Sequence, residues 1–111
     1  MSNSAFNLIP SDSEIPTLYA QDGAEDATVH VKLFTPYSGF TWLLTEYCPE
    51  ENLAFGFAYN ASMPDCAELG YVSLEELSSL RSAFGTPGVE RDILFDPMPL
   101  SEAKATYCPH C

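Results

Sequence analysis

The sequence predicts an α+β fold, with an antiparallel sheet of about five strands and one main helix packed on one face of that sheet. Apolar residues alternate with polar ones in several short segments, as in half-buried strands. Short turns rich in Pro, Gly and Asn separate these segments, which favours antiparallel hairpins. Only residues 74–84 carry a clear apolar stripe at helical spacing.

The first three predicted strands are close together in the chain. Residues 29–34 alternate Val, Val and Leu with other side chains, and the turn signal of residues 35–39 ends that strand. Residues 40–47 are aromatic and β-branched, and residues 53–59 place four large apolar side chains on one face. If Trp42 faces the core, Thr41, Leu43, Thr45 and Tyr47 take the opposite face.

The remaining elements follow a longer loop at residues 58–65. Residues 68–72 form the fourth predicted strand, and Ser73 with Glu76 forms a capping box that starts a helix. The stripe of that helix is Leu74, Leu77, Leu80 and Phe84, and the glycines of residues 85–88 end it. Residues 89–95 alternate as a fifth strand, and residues 101–106 are expected to form one or two helical turns.

The domain organisation follows from length. A chain of 111 residues forms one domain, here residues 1–111, with an N-terminal arm at 1–16 and a C-terminal tail at 104–111. The helix covers one face of the sheet, so we expect the other face to be partly open to water.

The charge of the chain is its strongest functional signal. The net charge is −12, and residues 1–80 hold twelve acidic residues and one basic residue. Between Lys32 and Arg81 there are seven carboxylates and no positive side chain. Such a protein is repelled by nucleic acid and by anionic membranes, and it is attracted to basic grooves. We therefore expect a basic DNA-binding protein as its partner, and a monomer that binds neither nucleic acid nor membrane directly.

The candidate partner-binding residues are acids at turns and strand ends. Duplex DNA carries one charge per ~1.7 Å of axis, so twelve charges correspond to about 20 Å of duplex. Glu90 and Asp92 lie two apart on a predicted strand, about 6.6 Å from each other, which resembles a phosphate spacing. The full set of candidates is Asp22, Glu25, Asp26, Glu46, Glu50, Glu51, Asp65, Glu68, Glu90 and Asp92. Trp42, Tyr47, Tyr59 and Tyr71 are possible interface anchors, although sheet core is the better interpretation for most of them.

No apolar stretch approaches the ~20 residues of a membrane span, and the first residues lack the pattern of a signal peptide. We expect a cytosolic protein, in which the four cysteines are thiols rather than disulfides.

Catalysis and cofactors are not expected. The string Cys108-Pro109-His110-Cys111 matches the active site of strongly oxidising thiol oxidoreductases. That chemistry needs a helix after the first Cys, and none can follow here. A zinc site using Cys48, Cys66 and this tail is a less favoured alternative, because the chain has only one closely spaced ligand pair. His30, on a predicted strand, is interpreted as a packing residue.

Many collinear strings resemble an uncharacterised bacterial family known as domain of unknown function 2958. They cover roughly residues 17–103 and are Leu18-Tyr19-Ala20, residues 25–32, residues 34–36, Thr41-Trp42, Thr45-Glu46-Tyr47, Pro49-Glu50, residues 68–77, residues 90–92 and residues 99–102. Residues 60–66 and the Cys-Pro-His-Cys tail depart from the pattern. The resemblance transfers no catalytic residue, and it implies a protein of plasmids, phages and other mobile elements.

In size, charge and setting the chain is similar to small acidic anti-CRISPR proteins that mimic DNA. The expected function is therefore a non-catalytic inhibitor that occupies a basic DNA-binding surface of a type I CRISPR surveillance complex. The alternative is a plasmid or phage housekeeping module that binds another basic protein, and a zinc or thiol protein is less favoured.

Overall fold

The computed structural model describes residues 8–10, 13–36, 39–60, 62–63, 66–81, 85 and 88–109. Within these residues there are seven strands and two helices. In chain order they are β1 (Thr28–Val29), β2 (Val31–Phe34), β3 (Phe40–Cys48), β4 (Leu53–Asn60), β5 (Glu68–Ser73), α1 (Leu74–Ser79), β6 (Glu90–Arg91), β7 (Met98–Pro99) and α2 (Leu100–Tyr107).

The main sheet has five antiparallel strands in the order β5-β4-β3-β2-β6. A second small sheet pairs β1 with β7. The predicted α+β class and five-stranded antiparallel sheet are confirmed. The prediction of one main helix is not confirmed, because the described residues contain two helices, α1 with six residues and α2 with eight.

Both faces of the main sheet carry a hydrophobic core. Leu43 and Leu44 are adjacent on β3, point to opposite faces and are both fully buried. On the Leu44 side pack residues 8–9, α1 and Val89, and on the Leu43 side pack α2 and β7. The face opposite α1 is covered by α2 and β7 but stays exposed over β5 at Leu69 and Tyr71, which agrees with the expectation that this face is partly open to water.

The predicted first strand is divided at His30. The backbone N–H of His30 donates to the carbonyl of Leu44, and the strand then changes sheets. As a result Val29 packs into the Leu43 core, whereas Val31 packs into the Leu44 core. A simple alternation would have placed both valines on one face.

A β-bulge between Leu44 and Glu46 changes the faces of β3. Trp42, Leu44 and Tyr47 all pack with the same core. The prediction that Tyr47 and Trp42 lie on different faces of the sheet is wrong, because the extra residue of the bulge places Tyr47 on the same face as Trp42.

Helix α1 begins as predicted and ends early. The amide of Glu76 donates to the Ser73 hydroxyl at 3.2 Å, which is the expected cap. The hydroxyls of Ser78 and Ser79 donate back to helix carbonyls three residues earlier, and Leu80 is already extended. Leu80 is 46% exposed and is not core, and Phe84 lies outside the described residues.

The predicted strand of residues 89–95 pairs only through Glu90 and Arg91. The Asp92 carboxylate accepts from the amide of Leu94, and the amide of Phe95 donates to the Asp92 carbonyl. These bonds form a turn, so the strand ends at Arg91. The helical turns predicted at residues 101–106 are confirmed and extended as α2.

Candidate functional site

A cavity of about 420 Å³ lies on the Leu43 side of the sheet. It is bordered by β4 and β5 and by Leu100, the first residue of α2. Residues 19–27 form one wall, and β4 and β5 form the other. Its lining residues, which we call the Tyr19–Tyr71 pocket, are Tyr19, Gln21, Asp22, Gly23, Ala24, Glu25, Asp26, Ala27, Thr45, Glu46, Phe55, Leu69, Tyr71 and Leu100.

The sheet wall of the pocket is aromatic. Phe55 of β4 and Tyr71 of β5 are directly opposite in the antiparallel register. Their rings meet edge to face with centroids 5.3 Å apart, a favourable aromatic geometry. The Tyr71 hydroxyl lies 2.8 Å from the Tyr19 hydroxyl, which links the loop to the edge strand.

Glu46 holds the loop wall in place. Its carboxylate accepts the backbone N–H of Tyr19 at 2.8 Å and that of Gln21 at 2.7 Å. Tyr19 has a φ of 70°, a strained backbone conformation for a residue with a side chain. The two charge-assisted bonds to Glu46 therefore stabilise a conformation that this loop would rarely adopt alone.

The carboxylate of Glu46 is buried, with 6% of the residue exposed. Within the described part of the chain it forms no ion pair, and each of its oxygens accepts one backbone N–H. Buried charges in proteins are usually paired with an opposite charge. The pocket therefore contains a negative charge that peptide dipoles solvate and no described cation neutralises.

Gln21 fixes the same loop from its side chain. Its amide nitrogen donates to the carbonyls of Thr28 and Thr45, at 3.0 and 2.9 Å. Its amide oxygen accepts the N–H of Thr28 at 2.7 Å. Together with the hydrogen bonds of Glu46, these bonds hold the loop wall in a defined conformation.

Asp26 joins the pocket to α2. Its carboxylate accepts the backbone N–H of Ser101 at 2.9 Å and the Ser101 hydroxyl. The residue at the N-terminus of the helix, Pro99, makes no side-chain cap, so Asp26 supplies it from a distant part of the sequence. These bonds lower the pKa of the Asp26 carboxyl.

The pocket has a negative potential. The hydrogen bond with Tyr19 raises the pKa of Tyr71, and the neighbouring carboxylates of Glu46 and Asp22 add to the shift. Asp22 and Glu25 are exposed at the rim. Four of the ten predicted acids, Asp22, Glu25, Asp26 and Glu46, are therefore brought together here.

Basic side chains of the described residues contact groups of the protein itself. Lys32 Nζ lies 3.1 Å from the Asp92 carboxylate and 4.2 Å from the centroid of the Tyr107 ring. Lys104 Nζ lies over the Phe57 ring, and the Arg81 guanidinium donates to backbone carbonyls. The positive groups of Lys32, Lys104 and Arg81 are therefore already engaged within the described part of the chain.

The other predicted acids do not form a single rim. Glu50 and Glu51 are exposed in the turn after β3, whereas Glu68 starts β5 near the opposite end of the sheet. Glu90 pairs opposite Phe34 at that opposite end, on the other edge.

Of the predicted pair of Glu90 and Asp92, Glu90 lies in β6, whereas Asp92 follows the end of that strand and its carboxylate is paired with Lys32. Asp65 lies outside the described residues.

The aromatic candidates divide by burial. Tyr59 is buried, Trp42 and Tyr47 are half-buried, and Tyr71 is exposed. The sequence did not single out Tyr19, Gln21 or Phe55 for the site. The sequence signal for the sheet wall of the pocket was an alternation that places Leu69 and Tyr71 on one face of β5. Phe57 and Phe55 of β4 lie opposite them.

Cysteine and metal chemistry finds little support in the described residues. No cluster of three or more His, Cys, Asp or Glu side chains there has the geometry of a metal site. Cys48 and Cys66 are free thiols. Cys108 is disulfide-bonded, which corrects the expectation that all four cysteines are thiols. His110 and Cys111 lie outside the described residues.

His30 is half-buried, and burial lowers the pKa of its imidazole. It lines a smaller cavity of about 230 Å³ with Lys32 and Asp92, which are already paired.

No helix among the described residues has the length and apolarity to cross a membrane.

Comparison with known proteins identifies the family of the chain. No curated protein and no solved structure matches it significantly. A family model described as "Protein of unknown function (DUF2958)" matches residues 12–106, which include β1 to β7 and most of α2. The Tyr19–Tyr71 pocket lies entirely within the matched residues. The chain belongs to this family of proteins of unknown function.

Proposed function

We propose that this protein is a non-catalytic acidic inhibitor that binds a basic DNA-binding surface of a bacterial partner. The partner we propose is the type I CRISPR surveillance complex, and the result is that target DNA no longer binds. The observation that carries the proposal is the exposed acidic surface whose potential counter-charges are engaged internally. On this proposal the protein acts as a monomer in the cytoplasm of the host.

The amount of charge supports competition with DNA. The net charge of −12 is comparable to the charge of about 20 Å of duplex. The described chain measures 39 × 32 × 23 Å along its principal axes, so this charge is carried by a particle whose dimensions are of the same order as that length of duplex. A basic groove that binds DNA through its phosphates would therefore attract this surface at long range.

The acids are not arranged as a copy of the phosphate backbone. They are divided between the pocket, the turn after β3 and the far end of the sheet. We therefore propose that long-range attraction brings the partner close and that the Tyr19–Tyr71 pocket provides the specific contact.

Competition binding tests this function. Labelled duplex target DNA is bound to purified surveillance complex, and the protein is titrated in at several salt concentrations. The proposal expects displacement of DNA, with an apparent affinity of the protein that weakens as salt increases. If the surveillance complex still bound DNA fully in excess of this protein, the proposal would be refuted. If affinity capture from a plasmid-bearing host then returned a basic replication or partition protein, the housekeeping alternative would replace it.

A further inference from the structure

We propose that the Tyr19–Tyr71 pocket is an arginine receptor: it takes one arginine side chain from the basic partner. This inference rests on the proposed function and deepens it, because it names the group recognised. It goes beyond charge, since an acidic surface alone would not distinguish one cationic side chain from another.

The shape of the pocket suits a planar cationic group. Its volume of about 420 Å³ is near the lower end of the ~300–1,000 Å³ of small-molecule sites. Tyr19 and Tyr71 stand at its mouth, and Phe55 closes its sheet wall. Aromatic faces attract cations, and guanidinium groups stack on them.

The negative charge of the pocket favours a cationic ligand. Glu46 is nine-tenths buried, lines the cavity and has no described cation partner. Asp22 and Glu25 add exposed carboxylates at the rim. In the described part of the isolated chain only backbone N–H groups offset the charge of the Glu46 carboxylate, and a cation that enters the pocket would neutralise that charge.

The hydrogen-bonding groups favour arginine over lysine. The pocket presents carboxylate and phenol oxygens on more than one side, from Asp22, Glu25, Tyr19 and Tyr71. A guanidinium has five N–H donors in a rigid plane and is weakly hydrated, whereas an ammonium is a compact and strongly hydrated charge. Arginine can therefore stack on the rings and donate to several oxygens at once.

The pocket is also preorganised. The strained Tyr19 backbone is held by Glu46, and the Tyr19 side chain is held by the hydroxyl of Tyr71. A wall that is already ordered loses little conformational entropy on binding, which favours affinity for a single side chain.

The test uses NMR of the isotope-labelled full-length chain. N-acetyl-arginine amide is titrated in, with N-acetyl-citrulline amide as the neutral analogue of the same shape and N-acetyl-lysine amide as the other cation. We expect saturable shifts of backbone amides in residues 19–27 and 69–71 with the arginine probe. The citrulline probe should cause none, and the lysine probe should bind more weakly.

Two variants and a control locate the binding. Tyr71→Ala should weaken arginine binding about two- to fivefold, as expected for an exposed cation–π contact. The double variant Asp22→Asn with Glu25→Gln should also weaken it. The matched control, Glu75→Gln with Glu76→Gln, removes the same charge from α1 on the opposite face and should leave binding unchanged. Amide shifts far from the pocket report that each variant is folded.

The outcomes separate this inference from the proposed function. Absent or non-saturating shifts, equal binding of citrulline, or equal binding of lysine would overturn the arginine receptor, even if the chain displaces DNA. Arginine-specific shifts confined to the pocket would support the receptor, even if the surveillance complex is unaffected.

Discussion

The hydroxyl oxygens of Tyr19 and Tyr71 lie 2.8 Å apart, although the two residues are 52 positions apart in the sequence. This contact connects a loop of strained backbone to an edge strand of the sheet. It also raises the pKa of Tyr71, because the bond and the neighbouring carboxylates favour the neutral phenol. The contact is therefore both a structural link and a measurable property of the pocket.

The first prediction concerns alkaline pH. In the folded protein Tyr71 should titrate above the ordinary tyrosine value of about 10. Tyr19→Phe should lower the pKa of Tyr71 towards that value, since the first cause of the shift is removed. NMR of the Tyr71 ring signals over a pH series in both proteins measures the change.

The stability associated with this group has a definite sign. The folded pKa of Tyr71 is raised, so the contribution is fully present below pH about 10 and is lost as pH rises through the folded pKa. If Tyr19→Phe left the pKa of Tyr71 unchanged, the link between the two hydroxyls would be refuted.

The second prediction concerns Glu46. Glu46→Gln removes the charge and leaves only one side-chain oxygen for the amides of Tyr19 and Gln21. We expect a loss of about 1–3 kcal/mol in the free energy of unfolding, as for a buried donor left unsatisfied. Urea denaturation measures it. The control is Glu50→Gln at an exposed turn, expected within about 0.5 kcal/mol of the wild type, and equal losses in both variants would contradict this role for Glu46.

The third prediction concerns two glycines that pair across β4 and β5. A Cβ at Gly56 would overlap the carbonyl oxygen of Leu43 and lie 2.9 Å from Leu44 Cα, whereas a Cβ at Gly70 would meet nothing within 4 Å. Gly56→Ala should cost at least about 1–3 kcal/mol, as overpacking does, because backbone rather than a side chain must move.

Gly70→Ala is the matched control, on the neighbouring strand at the same register position. It should be close to neutral in thermal and urea unfolding. A Gly56→Ala protein as stable as the Gly70→Ala protein would show that the β3–β4 register differs from the one described.

The fourth prediction concerns acid pH. The Asp26 carboxylate accepts two bonds from Ser101, which lower the pKa of Asp26. Its contribution is therefore present above the unfolded value of about 3.9 and is lost as pH falls through the lower folded pKa. Asp26→Ala should reduce stability at neutral pH, and the difference from the wild type should shrink below pH about 3.9.

Denaturation curves over a pH series measure that difference. Asp96→Ala, which removes an exposed carboxylate with no described hydrogen bond, is the control and should show a much smaller change. A pH-independent effect of Asp26→Ala would rule out the charged cap.

The parts of the fold that depend on local patterns could be predicted from the sequence. The strands β2 to β5 follow from alternation, and the start of α1 follows from its Ser73 cap. The errors arise where one side chain or one extra residue redirects the chain. Asp92 turns the chain after Arg91, the bulge at Thr45 moves Tyr47 to the other face, and β1 leaves the main sheet at His30.

The candidate site was only half predictable for a related reason. Charge alone pointed to Asp22, Glu25, Asp26 and Glu46, because charge is visible in composition. The pocket itself depends on contacts between residues about 25 to 75 positions apart, such as those of Glu46 with Gln21 and of Asp26 with Ser101. No local pattern reveals such contacts, so the loop wall and the two tyrosines emerged only from the fold.

DNA displacement from a purified type I surveillance complex by three matched proteins tests both the proposed function and the role of the pocket. These are the wild type, the pocket variant Asp22→Asn with Glu25→Gln, and the charge-matched control Glu75→Gln with Glu76→Gln. We expect the wild type and the control to displace DNA with similar affinity and the pocket variant to be clearly weaker. DNA binding that persists in excess wild-type protein would contradict the function, and equal affinities of all three proteins would contradict the role of the pocket.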